Sequence, residues 1–86
     1  MPRLSEFYGI VIYMYFADHN PPHFHAIYAE HEALLRIDDG SVVRGSLPKT
    51  AARLVEQWRT LHLDELTANW SLAQEPAALS VIDPLQ

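Results

Sequence analysis

Residues 7–30 read FYGIVIYMYFADHNPPHFHAIYAE and contain two strand-like runs separated by a loop. The first run, residues 7–16, is rich in β-branched and aromatic residues, which favour extended strands. The paired prolines at 21–22 remove two backbone donors and therefore predict a loop. The second run, residues 23–30, resumes the strand pattern. This stretch predicts two adjoining β-strands in the first half of the chain.

Two more strand-like segments follow and complete a β-rich half. ALLRID occupies residues 33–38, and SVVRGSL occupies residues 41–47. Between them DDGS offers Gly40 for the positive φ that a tight turn needs. Because all these connections are short, the sequence predicts an antiparallel β-meander of about four strands.

The pattern changes to helical after residue 45. Ser46 could cap a helix whose first turn tolerates Pro48. Apolar residues then recur at helical spacing in two groups: Ala51, Leu54, Val55, Trp58 and Leu61, followed by Leu63, Leu66, Trp70 and Ala73.

The helical half fits either one long helix or two helices joined by a bend at His62. We expect Pro76 to end the helical part, and residues 78–82 (ALSVI) to form a short final strand. The predicted fold class is therefore α+β, an antiparallel meander packed against one or two C-terminal helices.

Length and composition limit the classes of protein that the chain can represent. Its 86 residues predict a single domain, residues 1–86. It has no cysteine, which excludes disulfides and a zinc finger. No apolar run reaches the ~18 residues of a membrane span, so we expect a soluble, cytoplasmic protein. A net charge of −5 argues against non-specific nucleic-acid binding through the whole surface.

The segment from Asp18 to Glu30 holds three histidines between two carboxylates. Alternate residues of a strand point to one side, so His23 and His25 are predicted to project together. Two imidazoles at this spacing can reach one divalent metal ion such as zinc. His19, across the proline loop, could supply a third ligand, and Asp18 or Glu30 an oxygen.

Two other interpretations of the three histidines fit the sequence equally well. They could work without a metal, as general acid and base, because the unperturbed pKa of histidine is about 6.5. They could also form a structural network with the tyrosines of the sheet. In the catalytic case Arg44, Lys49 and Arg53 could bind an anionic substrate.

Residues 23–30 also match one half of the cupin metal motif, H-x-H-x-x-x-x-E, which ends at Glu30. A second motif of this kind is lacking, and the helical second half of the chain does not suit a barrel. We therefore interpret the match as coincidental.

The chain resembles a small prokaryotic family known as domain of unknown function 4160. The most specific shared segment is D-H-x-P-P-H-F-H, residues 18–25, and the resemblance extends over nearly the whole chain. It implies a short, free-standing cytoplasmic protein, often encoded beside another small domain in a pair similar to a toxin–antitoxin module. The resemblance implies no particular activity.

The sequence thus predicts a polar site built from His19, His23 and His25, acting with a small protein partner in a toxin–antitoxin-like or regulatory module. One alternative is a ribonuclease-type toxin that uses these histidines as metal-independent acid and base. Another is a non-catalytic interaction module with a structural or metal-stabilised cluster. A homodimer formed through an open sheet edge also fits.

Overall fold

A computed structural model of the chain describes residues 2–75 and 77–86. Five antiparallel strands form one sheet in the order β1-β2-β3-β4-β5. The strands are β1 (Arg3–Phe7), β2 (Ile10–Tyr13), β3 (His23–Tyr28), β4 (His31–Arg36) and β5 (Val42–Gly45). The predicted α+β meander is confirmed, with five strands where the sequence predicted about four.

The additional strand arises because residues 7–16 are not one strand. Tyr8 and Gly9 both have positive φ, 52° and 79°, and they form a two-residue hairpin turn between β1 and β2. Apolar residues flank this turn on both sides, which hides it in the sequence. Ile12 and Met14 are fully buried, whereas Phe16 lies beyond β2 and is 43% exposed.

Two helices follow the sheet, α1 (Lys49–Leu61) and α2 (Leu63–Gln74). They are separated at His62, where φ is −121° and ψ is 29°, so the helical half bends. Ser46 does not cap α1, because Pro48 is the residue before its first turn and makes no side-chain capping bond. Neither helix has the length and apolar character that crossing a membrane requires.

The core lies between the helices and one face of the sheet. Trp58 of α1 is fully buried, and its ring packs against Phe7 and Phe24 at centroid distances of 5.5 and 6.0 Å. The apolar stripes of the helices are buried except for Leu54, which is half-buried, and Leu61 and Leu63 at the bend, which are exposed. Because Phe24 packs against Trp58 of α1, its neighbours in β3 project from the sheet face opposite α1.

The predicted final strand is absent from residues 77–86, which run beside β1 without forming a ladder. The N–H of Ile82 donates to the carbonyl of Leu4 over 2.8 Å. The Asn69 side chain makes two hydrogen bonds to the backbone of Ser80, and Trp58 donates to the carbonyl of Asp83. Side chains of the helices therefore hold this segment in place. The predicted helix end at Pro76 falls outside the described residues.

Candidate functional site

The loop between β2 and β3 folds back over the sheet face opposite α1, and its start contacts α2. Ala17 takes a positive φ of 53°, and its N–H donates to the carbonyl of Ala73 in α2. At the other end of the loop, the carbonyl of Pro22 accepts from the N–H of Ile37. These two contacts fix the loop in a position in which the Asp18 carboxylate lies beside the side chains at the start of β3.

His23 is buried, with both ring nitrogens in contact with oxygen atoms. Its Nδ1 lies 2.8 Å from the carbonyl oxygen of Pro21, which can only accept, so Nδ1 carries a proton. Its Nε2 lies 2.9 Å from Oδ2 of Asp18. The loop therefore orients the His23 ring from one side and supplies a carboxylate on the other.

His25 is also buried, and its two nitrogens differ in their surroundings. Nδ1 lies 3.3 Å from Oε2 of Glu32, a carboxylate on the neighbouring strand β4. Nε2 lies 3.6 Å from Oδ2 of Asp18, which is longer than a hydrogen bond. Among the residues that the structure describes, this buried Nε2 has no hydrogen-bond partner.

The three side chains converge on one small region. One ligand atom each from Asp18, His23 and His25 lies within 4.8 Å of the other two. Burial raises the pKa of Asp18, but the hydrogen bond from the His19 N–H and the charge of His23 outweigh it. The net pKa lies below the ordinary value of an aspartate, so this carboxylate is ionised at neutral pH.

Aromatic rings enclose the cluster. Tyr15 meets the His25 ring edge to face at a centroid distance of 4.3 Å. Trp70 of α2 lies 5.3 Å from the His23 ring. These contacts restrict the rotation of both imidazoles, so the positions of their nitrogen atoms are set by packing as well as by hydrogen bonds.

The cluster borders a cleft of about 340 Å³ on the sheet face opposite α1, which we call the open face. Arg44 of β5 and Leu34 of β4 line the side of the cleft nearest the sheet edge, and His19 lines the loop side. This volume suits a small molecule.

The structure brings Asp18, His23 and His25 together and leaves His19 at the margin. The His19 ring is exposed and lies outside the cluster. The backbone N–H of His19 contacts the site, where it donates to Oδ1 of Asp18. Of the three cationic residues predicted to bind an anion, Arg44 lines the cleft. Lys49 and Arg53 lie exposed on α1, away from the cleft.

Glu30 does not contribute the oxygen that the sequence suggested. It lies beyond the end of β3, its side chain is 82% exposed, and its carboxylate lies 3.7 Å from Nε2 of His31. The carboxylate that reaches His25 is Glu32, which sequence reasoning missed. The register of the β3–β4 hairpin brings Glu32 to this place: Ile27 pairs with Glu32 and His25 pairs with Leu34, so Glu32 lies diagonally opposite His25.

The fold and the cluster together define a small α+β protein with a buried His–His–Asp site on the open face of its sheet. The model of the family described as domain of unknown function (DUF4160) matches residues 9–71, well over half of the chain. The chain belongs to this family, as its sequence predicted. No curated protein and no solved structure matches it.

Proposed function

We propose that this protein binds a divalent transition-metal ion, of which zinc is the best fit, through Asp18, His23 and His25. The observation that carries the proposal is the Nε2 atom of His25, which is buried, lacks a hydrogen-bond partner among the described residues and points toward the other two ligand atoms. An unsatisfied buried nitrogen costs about 1–3 kcal/mol. A bound cation would remove that cost.

The partners of the two Nδ1 atoms support the same assignment. Histidines that bind metals commonly donate their second N–H to a backbone carbonyl or a carboxylate, which fixes the ring and the tautomer. His23 donates to the Pro21 carbonyl, and His25 faces the Glu32 carboxylate. A metal ion bound between the rings would require both Nε2 atoms to be unprotonated, and each ring would then keep its proton on Nδ1.

The spacing of the ligand atoms also suits a metal ion. Ligands of tetrahedral zinc at about 2.0–2.1 Å lie about 3.3 Å from one another. The two distances to Oδ2 of Asp18, 2.9 Å from His23 and 3.6 Å from His25, bracket that value. Three protein ligands leave a fourth position for water or substrate, as catalytic zinc sites do.

The metal-independent ribonuclease alternative fits the geometry less well. Both nitrogens of His23 are engaged by oxygen atoms, and the free nitrogen of His25 has no contact with solvent. General acid–base catalysis requires a nitrogen within hydrogen-bond reach of the substrate. A small cation can enter this cluster more readily than an RNA phosphodiester.

A metal ion in this cluster would act as a Lewis acid, and it would lower the pKa of a bound water to about 7. The cleft would bring a small substrate to the fourth coordination position. A protein partner, a toxin–antitoxin-like or regulatory role, a homodimer and a cytoplasmic location stay predictions that rest on the family resemblance and the composition.

The test is the metal content of untagged protein that was purified without nickel-affinity chromatography. Elemental mass spectrometry should find close to one equivalent of metal per chain, or the metal-free protein should take up one equivalent of zinc in a calorimetric titration. His25→Ala should lose this metal. His31→Ala is the matched control, because His31 lies outside the cluster and its side chain is 39% exposed.

Circular dichroism on all three proteins shows whether each variant is folded. Wild-type protein that neither contains metal nor binds zinc would refute the proposal. A folded His25→Ala variant that keeps the wild-type zinc affinity would refute it equally.

A further inference from the structure

Arg44 is placed to bind a ligand beside the metal cluster. The register pairs His25 with Leu34 and Leu34 with Arg44, so these three residues form one row across β3, β4 and β5. Strands lie about 4.8 Å apart, which separates Arg44 from His25 by two such spacings. Arg44 also lines a second, adjoining cavity of about 220 Å³ together with His25 and Glu32.

The charge of Arg44 is available, unlike that of three other arginines in the described chain. Arg3 pairs with Glu6, Arg36 with Asp38, and Arg59 with Glu56, at N–O distances of 2.9, 2.7 and 2.6 Å. Arg44 has no carboxylate within 4 Å among the described residues, and neither do Lys49 and Arg53. Arg44 differs from these last two because it lines the cleft.

We infer that the cleft binds a small oxyanion, held between the guanidinium of Arg44 and the metal ion. The inference rests on the proposed metal site. A divalent ion and Arg44 contribute three positive charges, against two negative charges on Asp18 and Glu32, so the bound site would carry a net positive charge. Arginine matches the planar oxygen pair of a carboxylate or phosphate, with two parallel hydrogen bonds.

Size and overall charge favour a small anion over a polynucleotide. The cleft of about 340 Å³ matches a metabolite-sized ligand. The chain as a whole carries −5 and would repel an extended polyanion, whereas a small anion experiences mainly the local field of the cleft. Tyr15 and Asn20 line the same cleft and offer further polar groups to such a ligand.

The test uses protein loaded with Co²⁺, whose visible absorption reports changes at the metal. Inorganic phosphate and acetate are titrated separately, which distinguishes the two oxyanion classes. At least one of them should shift the spectrum of the wild-type protein. Arg44→Ala should weaken the binding of that anion by about 10–100-fold, the value of one charge-assisted hydrogen-bond pair, while its Co²⁺ affinity stays within about twofold.

Two further variants sharpen the result. Arg44→Lys should recover only part of the affinity, because an ammonium group cannot make the two parallel bonds. Arg53→Ala, an exposed position on α1, should match the wild-type protein. The inference is overturned if neither anion shifts the spectrum, if Arg44→Ala binds the anion as tightly as wild type, or if metal-free protein binds it equally well in calorimetry.

If the protein has no metal site, the experiment gives a result that differs from all of these. In that case wild-type protein takes up neither Co²⁺ nor zinc before any anion is added, and the inference falls with the proposed function. Normal metal uptake without an effect of Arg44 would overturn the inference and leave the proposed function in place.

Discussion

Two glutamates close to His25 in the sequence differ in whether they contact its ring. Glu32 reaches Nδ1 of His25 with one carboxylate oxygen, whereas Glu30 lies two residues earlier and extends into solvent. Both are glutamates next to the same hairpin. The difference comes from their positions in the chain, because Glu32 belongs to β4 and Glu30 precedes it.

We predict that Glu32→Ala weakens zinc binding by about 10–100-fold, which is the usual effect of removing a group that orients a metal-binding histidine. Loss of the carboxylate frees the His25 ring to rotate and lowers the basicity of its Nε2. Competition with a zinc-chelating dye measures the affinity. Glu30→Ala is the control and should bind zinc as wild type does. Equal affinities for both variants would show that Glu32 does not support the site.

At the scale of elements, the β4–β5 pair depends on a glycine. Gly45 has a φ of 78° and lies opposite Ala33, where a Cβ would overlap the carbonyl oxygen of Glu32. Gly9 in the first hairpin has nearly the same φ, 79°, but a Cβ there would meet only the Tyr28 ring at an ordinary 3.5 Å. The two glycines share a left-handed backbone conformation and differ in the space available to a Cβ.

This contrast predicts different costs for the same substitution. Gly9→Ala should lower the free energy of unfolding by about 1–2 kcal/mol, the cost of a left-handed conformation with a Cβ. Gly45→Ala should cost clearly more, because the backbone of β4 must also move. Urea denaturation of both variants measures the costs. If Gly45→Ala is no worse than Gly9→Ala, the close approach of the two strands is not required for stability.

The contact between α1 and the β4–β5 turn also depends on a glycine, Gly40. Arg59 of α1 is buried and donates to the carbonyls of Ile37 and Asp38 in the turn between β4 and β5. Its other nitrogens bind Glu56, and the pair lies directly against Gly40, where a side chain would collide with it. The guanidinium of Arg59, held by Glu56 in the same helix, therefore joins α1 to the turn that precedes β5, the strand of Arg44.

At the scale of the whole molecule, ionised carboxylates contribute to stability. The hydrogen bonds from Arg36 lower the pKa of Asp38 to about 2. The bond from the Ser41 N–H lowers the pKa of Asp39, and the bonds from Arg59 lower the pKa of Glu56. Each of these groups binds protons more weakly in the folded chain than in the unfolded chain.

Stability should therefore fall in acid. Groups with depressed pKa values stabilise the fold fully above the unfolded pKa of about 4, and this contribution disappears as the pH falls through the folded pKa. We predict that the melting temperature of metal-free protein is steady from about pH 7 to 5 and then decreases toward pH 2. Circular dichroism melts at each pH measure it.

Glu56→Gln provides the matched variant for this pH series. It cannot titrate, so it should be less stable than wild type at pH 7, and the difference should shrink as the pH falls below about 4. A difference that stays constant or grows in acid would contradict the role given to the Glu56–Arg59 pair, as would a wild-type melting temperature that rises below pH 5.

Local sequence patterns were sufficient to predict several features of the fold and of the site. Period-two alternation in β3 placed His23 and His25 on one face, because successive side chains of any strand point to opposite sides. Helical spacing identified most of the buried apolar positions of α1 and α2, including Trp58 and Trp70, but it also included Leu61 and Leu63, which are exposed at the bend. The α+β class followed from the order of these segments.

Tertiary structure alone decided which other residues join the histidines. Asp18, and not the neighbouring His19 ring, enters the cluster because the loop folds back with a positive φ at Ala17. Register across the strands selects Glu32 and Arg44, which lie 7 and 19 residues from His25 in the sequence. Alternation within a strand depends only on the backbone of that strand, whereas loop closure and register depend on contacts between segments that no local pattern contains.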